Sequence, residues 1–346
     1  MTAALYIYGI AGTAGLPISQ AFGIEGGVTL LEQGGVFAIV GEPPKGNLQE
    51  LSREKAVRML LGHQEVVEAA MQKAVVLPVK FGTIAPSEAA VRSLLRQQRN
   101  TLLELLAEFD GCSQMEIVVS WPMEAVFAEI ATDPAIAEAR KEAQQGGNEA
   151  AAVRLGHAVK AALEKKRAGM QAQLGDALKS AAIDVAFNAT MDDRMAANLA
   201  VLIGPNGGAR LDAALERLDA EFGGQMTFRC VGPLPPSSFA TLQVTFPSAQ
   251  AIARARLALE LAGPLTQKEI TSAFRRLARE HHPDLNLAGD QASERMDELT
   301  RAYRLLLACA KARQASQSVD DHGEPVFLEV AGRRRDAAPE LQKGAA

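Results

Sequence analysis

The amino-acid sequence changes rhythm at Pro247. Before it, short runs of β-branched and aromatic residues alternate with amphipathic helical stretches; after it, the periodicity is essentially helical up to residue 312. Strands and helices of the first part must bury one another, whereas a helices-only stretch needs a core of its own. One sheet running through the whole chain is therefore excluded. At roughly 100–200 residues per domain, the 346 residues divide into two or three units. Apolar residues make up 48%, enough to build those cores and to rule out disorder for most of the chain. Aromatics are only 5%, so the cores are built from small aliphatic side chains and the helices should be Ala-rich.

Residues 5–10 (LYIYGI) read as a strand. Residues 28–33 and 36–40 flank Gly34-Gly35, a two-residue turn that predicts a hairpin. Helical periodicity covers 51–73 and 87–110, and the strand 74–81 between them is interrupted by Pro78, which points to an edge or a bulge. A strand follows at 115–121. From 134 to 182 the composition turns to Ala, Glu, Lys, Arg and Gln, predicting two helices broken near Gly146-Gly147. Strands at 183–188 and 198–203, a helix at 211–222 and a strand at 226–231 then give a β-β-α-β order, followed by a last strand at 239–246. With antiparallel pairing, that order suits a ferredoxin-like domain.

The expected fold class is α+β, with two mixed α/β domains linked by long helices and a small all-α module. The expected boundaries are an N-terminal α+β domain at 1–132, an Ala-rich helical connector at 133–181 and a ferredoxin-like domain at 182–247. A helical module at 248–315 and a mostly disordered tail at 316–346 complete the chain. Within that tail, residues 326–330 (VFLEV) form a short strand that could dock.

The helical module carries the sharpest local signal. Thr266-x-x-Glu269 is a capping box, satisfying two backbone N–H groups at a helix start. Ile270, Phe274, Leu277 and Ala278 follow as an apolar stripe, and Lys268, Arg275, Arg276 and Arg279 leave a basic outer face. The helix runs into His281-His282-Pro283-Asp284, where Pro283 biases the preceding residue away from the α region and stops it. A second helix with Met296, Leu299, Tyr303 and Leu306 on one side completes a helical hairpin. This segment, EITSAFRRLAREHHPDLN followed by ERMDELTRAYRLLL, resembles a J domain of the DnaJ type over about 251–312. The resemblance implies docking onto an Hsp70 ATPase domain. His282, Pro283 and Asp284 match the family's functional tripeptide, and Arg275, Arg276 and Arg279 match its basic docking helix.

A second resemblance is spread over residues 4–244. LYIYGI, VVLPVKFGT at 75–83, NLAVLI at 198–203 and CVGPLPPSSFA at 230–240 occur in that order. Together they resemble the gas vesicle protein family GvpF/GvpL. The densest piece holds Gly232, Pro233, Pro235, Pro236 and Phe239. Its prolines fix φ and remove donors, so it reads as a rigid structural segment in which Phe239 anchors the return into the core. The family implies a cytoplasmic, non-enzymatic protein associated with gas vesicles, the proteinaceous shells that exclude water and hold gas. Its implied partners are the small hydrophobic shell subunit and other accessory proteins. Fusion to a J domain adds an Hsp70 to that set. The alternative is a general J-domain cochaperone whose N-terminal region holds a different client.

Other classes find no support in the residues. A net charge of −5 argues against a nucleic-acid binder driven by bulk positive charge. No run approaches the ~18–20 apolar residues of a membrane span, and the N-terminal segment carries no basic residue of the kind a signal peptide needs. Gly9-x-x-Gly12-x-x-Gly15 has the wrong spacing for a dinucleotide fingerprint, and Gly204-Pro205-Asn206-Gly207-Gly208 lacks the Lys of a phosphate loop. Cys112, Cys230 and Cys309 form no metal-binding pair, and His63 and His157 are solitary. The expectation is no catalytic residue, no metal and no cofactor.

Overall fold

The computed structural model describes residues 3–12, 27–44, 46, 51–146, 149–263, 265–281, 289–315 and 326–331. The chain separates into two compact units, Met1–Glu108 together with Ala240–Ala346, and Phe109–Phe239.

The first unit is built around β1 (Leu5–Ala11). It pairs antiparallel with β3 (Val36–Gly41), itself joined to β2 (Val28–Gln33). Gly34 and Gly35 form the turn at φ +64° and +84°, the left-handed pair that a tight two-residue hairpin requires. After α1 (Arg53–Met71), the short β4 (Val76–Pro78) and β5 (Ile84–Ala85) also pair with β1, giving the order β2-β3-β1-β4. Pro78, which has no N–H to give, ends β4 opposite an irregularity in β1 between Ile7 and Gly9. α1 packs Val66, Val67 and Ala70 on Ala11, Ile39 and Val76. The stretch expected as one helix at 87–110 is two, α2 (Glu88–Gln97) and α3 (Arg99–Glu108), interrupted at Gln98. Arg99 Nε donates to the Gly34 carbonyl at 2.7 Å and Arg92 to the Glu32 carbonyl at 2.9 Å, pinning the hairpin to this helix pair.

The second unit opens with β6 (Ser113–Ser120), followed by α4 (Met123–Ile130), α5 (Pro134–Gly146) and α6 (Glu149–Leu178). Then come β7 (Asp184–Phe187), β8 (Met195–Ile203), α7 (Gly208–Glu221), β9 (Thr227–Leu234) and the single turn α8 (Ser237–Ala240). The spatial order is β7-β8-β6-β9, every neighbouring pair antiparallel. Ile117 and Val119 of β6 and Leu199 and Val201 of β8 share one sheet face. They pack with Leu163, Leu174 and Leu178 of α6 and Leu211 and Leu218 of α7.

This arrangement differs from the expected boundaries. The strand expected within 1–132 hydrogen-bonds to β8 and β9, far along the chain. The helices expected as a connector at 133–181 cover that same sheet. Strand partners so distant in sequence leave no trace in local periodicity.

From Ala240 the chain returns to the first unit. β10 (Thr241–Thr245) follows α8, and Lys80 donates its backbone N–H to the Leu242 carbonyl at 2.9 Å beside a parallel bridge between Val79 and Leu242. Three helices come next: α9 (Ala249–Ala258), α10 (Gln267–Glu280) and α11 (Gly289–Ala315). They enclose a separate core of Ala255, Leu259, Ile270, Ala273, Leu277, Leu299, Ala302, Leu306 and Ala310. Small residues at 255, 273, 302 and 310 let these helices approach closely. β11 (Phe327–Ala331) then pairs antiparallel with β10 along its whole length. Among the described residues no helix is long and apolar enough to cross a membrane.

Candidate partner-binding surfaces

The surface of the three-helix module begins with its capping. The Thr266 hydroxyl oxygen accepts the Glu269 backbone N–H at 3.2 Å, and the Glu269 carboxylate accepts the Thr266 N–H at 3.2 Å. The Thr266 hydroxyl also donates to Glu269 Oε2 at 2.7 Å, and this bond is the largest influence holding the Glu269 carboxyl below its usual range. Ile270, Ala273 and Leu277 are buried, so the opposite face of α10 is turned outward. On it, Lys268, Arg275 and Arg279 follow one another at spacings that keep them on one stripe of a 3.6-residue helix, and all three are exposed.

Arg276 has a different role from its neighbours. Its guanidinium reaches Glu260 Oε2 at 2.5 Å and Glu280 Oε1 at 3.5 Å, and the Glu260 bond raises its pKa further. Glu260 sits at φ +55° just after α9, so this ion pair joins the α9 end to α10. Arg256 completes that joint, donating to the carbonyls of Ala262 at 3.0 Å and Gly263 at 2.9 Å and, more weakly, of Leu261 at 3.4 Å. Phe274 stacks on Tyr303 of α11 with ring centroids 4.4 Å apart. The three arginines singled out from sequence therefore divide: Arg275 and Arg279 face outward with Lys268, while Arg276 is tied to acidic neighbours. His282, Pro283 and Asp284 lie outside the described residues.

The proline-rich segment is placed in full. β9 runs on through Gly232 and Pro233 to Leu234, which pairs with Gln114 after a register shift. β9 occupies the outer position of its sheet, where a proline is tolerated. Gly232 is at φ +152°, and a Cβ there would lie 2.5 Å from Met115 Sδ and 2.9 Å from the Gln114 carbonyl oxygen. Pro235, Pro236 and Phe239 are buried, whereas Gly232 and Pro233 are exposed. The buried Gln114 side chain joins this segment to β6: its Oε1 accepts the Ser238 N–H at 2.8 Å and its Nε2 donates to Glu116 at 2.6 Å.

His63, solitary in sequence, is buried in the first unit against Tyr6, Tyr8 and Phe81. The Tyr6 hydroxyl accepts the Gly82 N–H at 3.1 Å and lies 2.9 Å from His63 Nδ1. Burial pushes the His63 pKa down to about 4, against a hydrogen bond to the Val79 backbone that pulls it up. The group is a satisfied core histidine. Among the described residues no cluster of three or more His, Cys, Asp or Glu side chains is arranged to hold a metal ion.

Comparison with known proteins matches two families to successive parts of the chain. The family described as Gas vesicle synthesis protein GvpL/GvpF matches residues 4–241, and the DnaJ domain matches residues 258–315. Gas vesicle protein F of Streptomyces sp. (strain CB03234) is 28% identical over 241 residues, which cover 68% of this chain and 98% of that protein. Chaperone protein DnaJ of Caldicellulosiruptor saccharolyticus is 42% identical over 52 residues. These are 15% of this chain and 13% of the chaperone, so that likeness is to one domain of a longer protein. Two crystal structures of gas vesicle protein GvpF share the fold over 69% of this chain. The protein from Anabaena sp. PCC7120 has a TM-score of 0.56 at 21% identity and is covered over 99% of its chain. That from Microcystis aeruginosa has 0.55 at 24% and is covered over 100%.

Proposed function

The chain belongs to the gas vesicle synthesis protein GvpL/GvpF family and carries a C-terminal DnaJ domain, and from that premise we propose that it holds a gas vesicle shell subunit and recruits an Hsp70 to it. Its general role is that of a gas vesicle accessory protein, and neither matched family is catalytic. In this reading, residues 1–244 bind the small apolar shell subunit and contact other accessory proteins in the cytoplasm. A subunit with one apolar face aggregates unless that face is covered before assembly. The helical module then brings an Hsp70 to the held client. The antiparallel order β7-β8-β6-β9, with helices after β6 and after β8, supports reading the second unit as ferredoxin-like.

One observation carries the Hsp70 half of the proposal. The exposed stripe of Lys268, Arg275 and Arg279 stands on a helix whose opposite face is locked into a packed core. A rigid cationic stripe loses little entropy on docking and steers an acidic partner. His282, Pro283 and Asp284 would be the working loop at the end of that helix, and Gly232, Pro233, Pro235, Pro236 and Phe239 a structural segment. The client half is tested by coexpressing the full chain with the shell subunit. Co-purification that survives His282→Gln is expected. No recovery of shell subunit would favour a general cochaperone with another client.

A further inference from the structure

The three-helix module lies in the chain between two strands that are hydrogen-bonded neighbours. β10 and β11 match over every residue, from Thr241 opposite Ala331 to Thr245 opposite Phe327. The chain therefore leaves for α9 and returns from α11 at a single rung, Thr245 with Phe327. The segment ahead of β11 is held as well. Val326 is 1% exposed, its N–H donates to Gln97 Oε1 at 3.2 Å, and its carbonyl accepts from Gln98 Nε2 at 3.3 Å. Both glutamines stand where α2 gives way to α3. Two side-chain amides thus read the donor and the acceptor of one residue, beside a ladder that reads five more.

These are the contacts by which an extended peptide is recognised through strand addition: main-chain pairing along one edge, with a buried apolar residue for specificity. The rest of β11 contributes little burial. Phe327, Leu328, Val330 and Ala331 are half-buried and Glu329 is exposed. We infer that β10, Gln97 and Gln98 form a strand-acceptor site, and that residues 326–331 are its ligand in cis, a separable latch fastening the C-terminal end of the J module to β10 and to the α2–α3 junction. The ligand class is an extended segment with an aliphatic residue entering first and a five-residue strand behind it. Seated, the latch ties the chain after the module as residues 246–248 tie the chain before it; released, it gives up the second of these ties. Because residues 326–331 and β10 belong to one chain, the latch has an effective concentration on the order of mM, and a competing segment must match that level.

Hydrogen exchange on the full-length protein tests this. Val326→Asp places a charge in the buried position, and Gln97→Ala with Gln98→Ala removes the amide pair. In both variants, amides of 241–245 and 327–331 should exchange roughly tenfold faster or more. Those of 270–280 in the module and 197–203 in the second unit should keep their wild-type rates. A synthetic peptide of residues 324–333, added to the Val326→Asp protein at mM concentration, should restore protection to 241–245, and a scrambled peptide should not. The inference is overturned if protection at 241–245 is unchanged in the variants, or if it is lost throughout the chain, since the segment would then be part of the global core. It is also overturned if the peptide fails to restore protection. A wild-type protein that runs as a dimer exchanging this strand between copies would replace the cis latch. None of these readouts depends on an Hsp70 or a shell subunit.

Discussion

Phe274 of α10 and Tyr303 of α11 stack with their planes 21° from parallel, joining the helix that carries the cationic stripe to the longest helix of the module. Stacked aromatic pairs contribute about 0.5–1.5 kcal/mol beyond the area they bury. A double-mutant cycle with Phe274→Leu and Tyr303→Leu should return a coupling energy in that range by urea unfolding. A coupling near zero would mean that the stack does not fix α10 against α11.

Arg276 should separate from its neighbours in function. Its guanidinium and its partners Glu260 and Glu280 are exposed, so loss of these ion pairs should cost little stability. Arg275→Glu with Arg279→Glu should leave the melting temperature nearly unchanged while weakening Hsp70 binding strongly at low ionic strength and less at high. Titration of the wild type and this double variant at two salt concentrations checks this. Equal weakening at both would contradict electrostatic steering.

His63 gives the first unit a defined acid sensitivity. Its pKa falls from an ordinary 6.5 to about 4 in the folded state, so between those values the unfolded chain binds more protons. Stability from the neutral, hydrogen-bonded imidazole is complete above pH 6.5 and is lost progressively as pH falls to about 4, by a total of ~3 kcal/mol. Urea midpoints at pH 7, 5.5 and 4.5 for wild type and His63→Gln should show the wild type declining more steeply. Parallel slopes would remove His63 as the cause. Tyr6 stays neutral across this range, since burial pushes its pKa up to about 12.

The proline-rich segment should be unforgiving at both ends. Gly232→Ala forces its Cβ against Met115 and the Gln114 carbonyl, and it should destabilise by ~1–3 kcal/mol. Phe239→Ala empties a buried aromatic site, with ~3–5 kcal/mol typical. Thermal unfolding of each variant is the check, and an unchanged curve for Phe239→Ala would contradict its role as an anchor.

Local chemistry was legible in the sequence. Gly34-Gly35 fixed a hairpin because only left-handed residues close so tight a turn, and Thr266 with Glu269 fixed a helix start because the two side chains satisfy each other's backbone. Pairing at a distance was not. Nothing near Ile117 announces that it faces Leu199 and Cys230, so local periodicity places this strand within 1–132 and reads the helices of 133–181 as a connector. The 87–110 periodicity hid the break at Gln98, and Val326 could not be matched to Gln97 and Gln98 without the fold. The division among the arginines escaped for a similar reason. Spacing places Arg275, Arg276 and Arg279 outside the core, but only the position of Glu260 after α9 draws Arg276 aside.

The coupling of a gas vesicle client to an Hsp70 is tested most directly by single-turnover ATPase measurements with the cognate Hsp70, in the presence and absence of the shell subunit. The wild-type chain should accelerate hydrolysis at low ionic strength, and more so with shell subunit bound, because client and cochaperone then reach the same Hsp70 together. His282→Gln should abolish the acceleration while leaving shell subunit bound. No acceleration by the wild type, or equal acceleration by His282→Gln, would contradict the coupling and leave the helical module a structural appendage.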